Sequence, residues 1–284
     1  MQQRRKCVNH IERAVAQHYG DEDLLVRILA GLEAAGADLN RLQPDDLAAV
    51  EEFHIGGRKA TVQAVEMMSL SKDQHVLDIG CGIGGAARYI AVQTGCEVTG
   101  IDLTPEYISI ARRLSALTGL ADRINFEVSN ALAMPFSDAS FDAAITLHVA
   151  MNIRERSALY REIARVLKPG ATFYIFDVMK KNDEMLVFPV PWAASEDTSY
   201  LTTPEEMCAL LQKAGFDVRE VGDRTDFALD FFREGMAAAA NGPPPLGIHL
   251  IMGESAAEKL GNVMRNIENG HIAPVQMIAK RNES

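Results

Sequence analysis

The run Val76-Leu77-Asp78-Ile79-Gly80-Cys81-Gly82-Ile83-Gly84-Gly85 constrains this chain more than any other segment. An apolar stretch of strand length stops on glycines, and a helical period resumes at once in Ala86-Ala87-Arg88-Tyr89-Ile90. A strand that turns on glycine directly into a helix opens a βαβ unit. The same texture continues downstream. Strands are expected over 75–79, 96–102, 124–129, 141–148, 172–178, 217–223 and 273–280. Helices are expected over 84–94, from Pro105 behind the N-cap Thr104, over 154–167, and from Pro204 behind the capping box Thr203/Glu206. Strands that alternate with helices predict an α/β fold with an open, mainly parallel sheet covered on both faces. A ligand then belongs at the carboxyl ends of the strands.

Residues 1–70 read instead as helical, with Leu24, Leu25, Ile28, Leu29 and Leu32 on one face and Gly36 as the stop. A short helix is expected from Pro44, a break at His54-Ile55-Gly56-Gly57, and a third helix over 58–69. The expected organisation is an N-terminal helical lid over 1–70 and a ligand-binding domain over 71–284, with an insertion at about 180–202 after the fifth strand.

Charge and cysteine usage exclude several classes of function. Lys and Arg number 28 against 39 Asp and Glu, a net charge of -11, which argues against a general nucleic-acid surface. The four cysteines form no C-x-x-C pair, so neither a disulfide framework nor a zinc site is expected. No apolar stretch approaches the roughly 18–20 residues of a membrane span. A cytoplasmic protein is the resulting expectation, and a homodimer is left open.

Gly80, Gly82 and Gly85 satisfy G-x-G-x-x-G, and Asp102 ends the next strand where an acidic residue meets ribose hydroxyls, so a nicotinamide enzyme must be weighed. Asp78 argues against it. A carboxylate beside that helix N-terminus repels a pyrophosphate seated there. It suits a ligand that carries an ammonium and a sulfonium and no phosphate, which describes S-adenosylmethionine (SAM).

The ordered motifs resemble those of class I SAM-dependent methyltransferases. Asp78-Ile79-Gly80-Cys81-Gly82-Ile83-Gly84 is followed by Gly100-Ile101-Asp102-Leu103, by Ser129-Asn130-Ala131 with Met134-Pro135-Phe136, by Ser140-Phe141-Asp142, and by the run Arg161 to Gly170. The resemblance implies a Rossmann-like, mainly parallel seven-stranded sheet. It implies that Gly80 and Gly82 approach the methionine part of SAM and that Asp102 accepts from the ribose hydroxyls. Leu103 would cover the adenine, Asn130 and Ala131 would meet its edge, and Leu147 would run beneath the sulfonium. An aromatic near the N-terminus, Tyr19, is placed on SAM by the same resemblance. Asn130 stands where the family often has Asp, but its amide oxygen still accepts.

The flanks Phe53 to Thr61, His148 to Ile153 and Phe188 to Ala193 resemble sarcosine/dimethylglycine N-methyltransferases and their quinone-biosynthesis relatives. The implied reaction is methyl transfer to a small-molecule acceptor, with an amine nitrogen as the first expectation. A carbon or oxygen methyltransferase of a quinone, phenol or secondary metabolite is the alternative, and a SAM-binding protein without turnover is the non-enzymatic one. His148 and His54 are the candidate bases, and Met151, Asn152, Phe188 and Trp192 the candidate acceptor contacts.

Overall fold

The computed structural model describes residues 21–239, 242 and 244–283. Seven strands form one sheet: β1 (His75–Ile79), β2 (Glu97–Asp102), β3 (Ile124–Val128), β4 (Phe141–Leu147), β5 (Leu167–Lys180), β6 (Phe216–Asp223) and β7 (Ile272–Arg281). Their order is β3-β2-β1-β4-β5-β7-β6. The strands from β3 to β5 in that order pair parallel, whereas β7 runs antiparallel between β5 and β6. This is the Rossmann-like arrangement that the motifs imply.

Before the sheet come α1 (Asp21–Ala34), a single turn α2 (Ala48–Glu51) and α3 (Gly57–Met68). The crossovers carry α4 (Gly85–Thr94), α5 (Pro105–Leu117), α6 (Arg156–Val166) and α7 (Pro204–Lys213). Between β6 and β7 lie α8 (Thr225–Ala238), the short α9 (His249–Met252) and α10 (Ala256–Glu268). Thr104 and Pro105 start α5 as expected, and Thr203 Oγ1 and the Glu206 carboxylate cap α7 reciprocally at 3.1 and 2.8 Å.

The central strands are apolar on both faces because helices cover both. Leu77, Ile79, Phe173 and Ile175 pack against Leu159 and Ile163 of α6 and Leu211 of α7. On the other face Val76, Val98 and Ile145 meet Ala64 of α3, Ile90 of α4 and Ile108 of α5. The expected apolar face of the first helix exists: Leu24, Ile28 and Leu32 pack with Val50, with Leu114 of α5 and with Leu246.

One boundary differs from expectation. Lys168-Pro169-Gly170 reads as a helix stop with a strand starting at 172, yet β5 begins at Leu167. Phe141 faces Leu167 while Ala143 faces Thr172, so the three surplus residues bulge out of the ladder. Gly170 takes φ 76° there, and Pro169, with no N–H, forfeits no ladder bond in a bulge.

Candidate active site

The strand order reverses between β1 and β4, and the crevice this opens sits beyond the carboxyl ends of the parallel strands. A cavity of about 1050 Å³ fills it. One half is built by strand ends. Gly80 and Gly82 follow β1, Asp102 and Leu103 end β2, Asn130 and Ala131 follow β3, and Leu147 ends β4; all line the cavity. The structure brings these residues, singled out in the sequence, into one cavity wall.

Glycine is required at two of these positions. Gly80 holds φ 75°, and a Cβ on it would stand 2.5 Å from the Val149 side chain. Gly82 holds φ 54°, and its N–H donates to Asp102 Oδ2 at 3.0 Å. The other oxygen of Asp102 accepts from Thr104 N–H at 2.9 Å. Burial pushes the Asp102 carboxyl above its ordinary range, and these N–H donors hold it down in opposition. Leu103 is 70% exposed, an apolar side chain left uncovered in the cavity beside that carboxylate. A planar base on Leu103 with its sugar at Asp102 is what this half of the site fits. Asn130 Oδ1 accepts from Leu132 N–H at 2.8 Å and keeps a second lone pair, and its amide NH2 has no partner among the described residues.

Asp78 is placed differently from expectation. It does not line the cavity; it lies beneath the glycine loop, 2% exposed, bonded to the Ala87 amide in the first turn of α4. Its Oδ2 has no hydrogen-bond partner among the described residues. Burial, together with Glu52 and Asp102 nearby, pushes its pKa up to about 7. A cation brought to the loop would relieve that carboxylate, so its chemistry suits an ammonium-bearing ligand even though it lies under the loop and not in the wall. Tyr19 lies outside the described residues.

His148 is held more firmly than a mobile base. It takes φ 57°, and both its backbone N–H and its Nδ1–H point at the Phe176 carbonyl, at 2.7 and 3.0 Å. Its Nε2 accepts from Ile55 N–H at 3.3 Å. Burial, with His54 nearby, pushes its pKa down to about 3. Both ring nitrogens therefore tether backbone, and the ring ties β4 and β5 to the 53–57 segment. His54 is arranged otherwise. Its Nε2–H meets the Gly57 carbonyl and Thr61 Oγ1, both at 3.1 Å, and Thr61 in turn donates to Glu52 at 2.7 Å. This fixes the tautomer with the lone pair on Nδ1, which has no partner among the described residues. Burial pushes His54 down to about 4, so the ring stays neutral at ordinary pH.

The second half of the cavity is largely apolar. Met151, Asn152 and Trp192 line it as expected, and Trp192 Nε1–H is anchored to Ser199 Oγ at 2.9 Å. Phe188 does not line it; it packs behind the wall with Val190, Ala193 and Phe232. The largest contribution was not read from the sequence. Phe231 and Phe232 of α8, Ile251 and Met252 of α9, and Leu260 and Val263 of α10 form one wall. Their helical period reads simply as a buried face, so no local signal marks them as site residues.

Beneath the glycine loop lies a buried charge network that the sequence reading also missed. The Arg88 guanidinium, fully buried, donates to Glu51 at 2.5 Å and to the Ile83 carbonyl at 2.7 Å. Arg58 joins Glu51 at 2.8 Å to Glu52 at 2.6 Å. The network ties α2 and α3 to the loop that lines the cavity.

Among the described residues, no helix is long and apolar enough to cross a membrane. A family model described as a methyltransferase domain matches residues 77–175. Methyltransferase GfsG of Streptomyces halstedii is 30% identical over 63% of this chain and 65% of its own length. O-methyltransferase resE of Aspergillus sclerotiorum is 31% identical over 64% of this chain and 69% of its own. The chain thus spans about two thirds of the length of these curated relatives. Phosphoethanolamine N-methyltransferase 2 of Haemonchus contortus, solved with SAM, superposes with a TM-score of 0.70 at 20% identity, over 98% of this chain and 61% of that one. That likeness is one of fold. The family model spans the glycine loop, the acidic end of β2 and the strand ends that line one cavity, and together with the match to resE it shows that the chain belongs to the class I SAM-dependent methyltransferases.

Proposed function

We propose that this chain transfers the methyl group of SAM to a small-molecule acceptor seated in the apolar half of the cavity. Continuity carries the reading: the glycine loop, Asp102 and the aromatic chamber open onto one cavity. At about 1050 Å³ the cavity stands at the upper end of the range of about 300–1000 Å³ for pockets that hold a drug-sized ligand, which leaves space beside it for a second small molecule. Bound SAM supplies an electrophilic methyl on sulfur. The chain's own part is placement and exclusion of water, effects worth up to about 7–11 kcal/mol of barrier. Gly80 and Gly82 let the backbone approach, Asp102 and Leu103 hold the nucleoside end, and Trp192 with Phe231 closes the acceptor side. His54, kept neutral by burial, offers its Nδ1 lone pair as a hydrogen-bond acceptor for the incoming molecule, with Thr61 and Glu52 holding its tautomer.

Asp102→Ala is expected to weaken SAM binding by about 1.5–3 kcal/mol, because it removes charge-assisted bonds to ribose and also frees the Gly82 amide. Calorimetry on the folded variant checks this. Unchanged affinity would make Asp102 a loop latch alone.

The activity is tested by incubating the chain with methyl-labelled SAM and a metabolite extract. A labelled low-mass product is expected, and the position of the label reads the acceptor atom, with amine nitrogen as the proposed one. SAM that binds without label transfer would leave a binding protein without turnover. Trp192→Ala should cost a few kcal/mol in acceptor binding while SAM affinity stays put. Equal losses of both ligands would place Trp192 in the packing of the fold.

A further inference from the structure

The chamber beyond the strand ends carries information about its occupant. Its wall from α8, α9 and α10 presents Phe231, Phe232, Ile251, Met252, Leu260 and Val263, all apolar. A molecule the size of a methylated glycine would leave most of that surface facing water. The wall fits a bulky apolar body instead.

Lys259 lines the same wall, half-buried, in the first turn of α10. A cation at that end of a helix opposes the helix dipole. No carboxylate of the described residues lies within ion-pair distance of it, in a chain with an excess of 11 acidic charges. Arg154, at the mouth, stacks on Tyr200 at 5.0 Å and donates to its hydroxyl at 3.3 Å, and it too meets no carboxylate there. The acidic side chain on this side of the cavity, Glu155, stands at the N-cap of α6, where the helix dipole meets its charge. The acceptor half therefore presents cations that no carboxylate of the described residues pairs with.

We propose that the acceptor is an amphipathic molecule, with an apolar ring or chain body held between α8 and α10 and one anionic group paired with Lys259. This rests on the reading of the glycine-loop half as the SAM site, which leaves the chamber for the acceptor. It makes Lys259 a specificity residue for the anion and Val263 a limit on the size of the body.

Two probes that share one body separate the contributions: 8-anilinonaphthalene-1-sulfonate, which is anionic, and N-phenyl-1-naphthylamine, which is neutral. Each is titrated into the full chain with S-adenosylhomocysteine present. Energy transfer from Trp192, the single tryptophan and a residue of the cavity wall, reports binding at this place. The anionic probe is expected to bind about tenfold more tightly or better, as one charge-assisted pair implies. Lys259→Gln should erase that preference and leave the neutral probe unchanged, which also shows the chamber intact. Val263→Trp should weaken both probes. Equal affinity of the two probes for the unaltered chain overturns the proposal, as does a preference that survives Lys259→Gln or the absence of energy transfer. Calorimetry with S-adenosylhomocysteine alone is run beside it: failure there sinks the methyltransferase reading and leaves the probe result standing on its own.

Discussion

Gly82→Val is expected to lower SAM affinity by about a hundredfold or more while most of the fold survives. Gly82 sits at φ 54°, where a β-branched residue is strained by about 1–3 kcal/mol. Its Cβ would press to 3.2 Å from the Phe53 ring, which lines the cavity. Movement of the loop away from Phe53 breaks the 3.0 Å bond from Gly82 N–H to Asp102, so strain and loss of the ribose contact act together. Calorimetry and a thermal melt on the same sample decide the matter. If the melting temperature falls in step with affinity, Gly82 serves turn geometry only. NADH is the control ligand and is expected to bind neither form.

Removing Arg88 should have the largest effect on stability. Its side chain is fully buried against a fully buried Glu51, and truncation of Arg88 leaves that carboxylate with Arg58 as its remaining cation, at a cost of up to about 3–5 kcal/mol. Replacing both by apolar residues, as in Arg88→Met with Glu51→Leu, should recover much of that loss, because desolvation of the pair offsets its attraction. Urea unfolding of the two single variants and the double variant gives the coupling energy. Additive losses would mean that the two side chains do not act as a pair. Arg88 also holds the Ile83 carbonyl at 2.7 Å inside the glycine loop, so the single variant should bind SAM more weakly even where it remains folded.

The strand-end half of the cavity, proposed as the cofactor side, was legible because its signals are local. A strand end, the glycines and the helix start that follow occupy ten consecutive residues, and Asp102 and Asn130 recur at the same place in the next two βα units. Parallel pairing with right-handed crossovers then carries those strand ends to one edge of the sheet without further instruction. Asp78 shows the limit of such reading. Its position two residues before Gly80 marks it as part of the loop motif, but which way the carboxyl turns depends on Ala87 above it and on packing below.

Where the chain's own long-range contacts act, the sequence could not speak. His148 stands at a strand end, the usual place of a reactive group, yet its ring nitrogens are taken by Phe176, 28 residues away, and by Ile55, 93 residues away. The stretch from α8 to α10 becomes a cavity wall because β7 inserts antiparallel between β5 and β6 and returns the preceding helices over the crevice. Period and turn chemistry act within about one helix length, and they determined the strands, the glycine loop and the strand ends that line the cavity. The shape and charge of the cavity as a whole come from residues some 200 positions apart, Phe53 to Val263, and only burial in the folded chain brings those together.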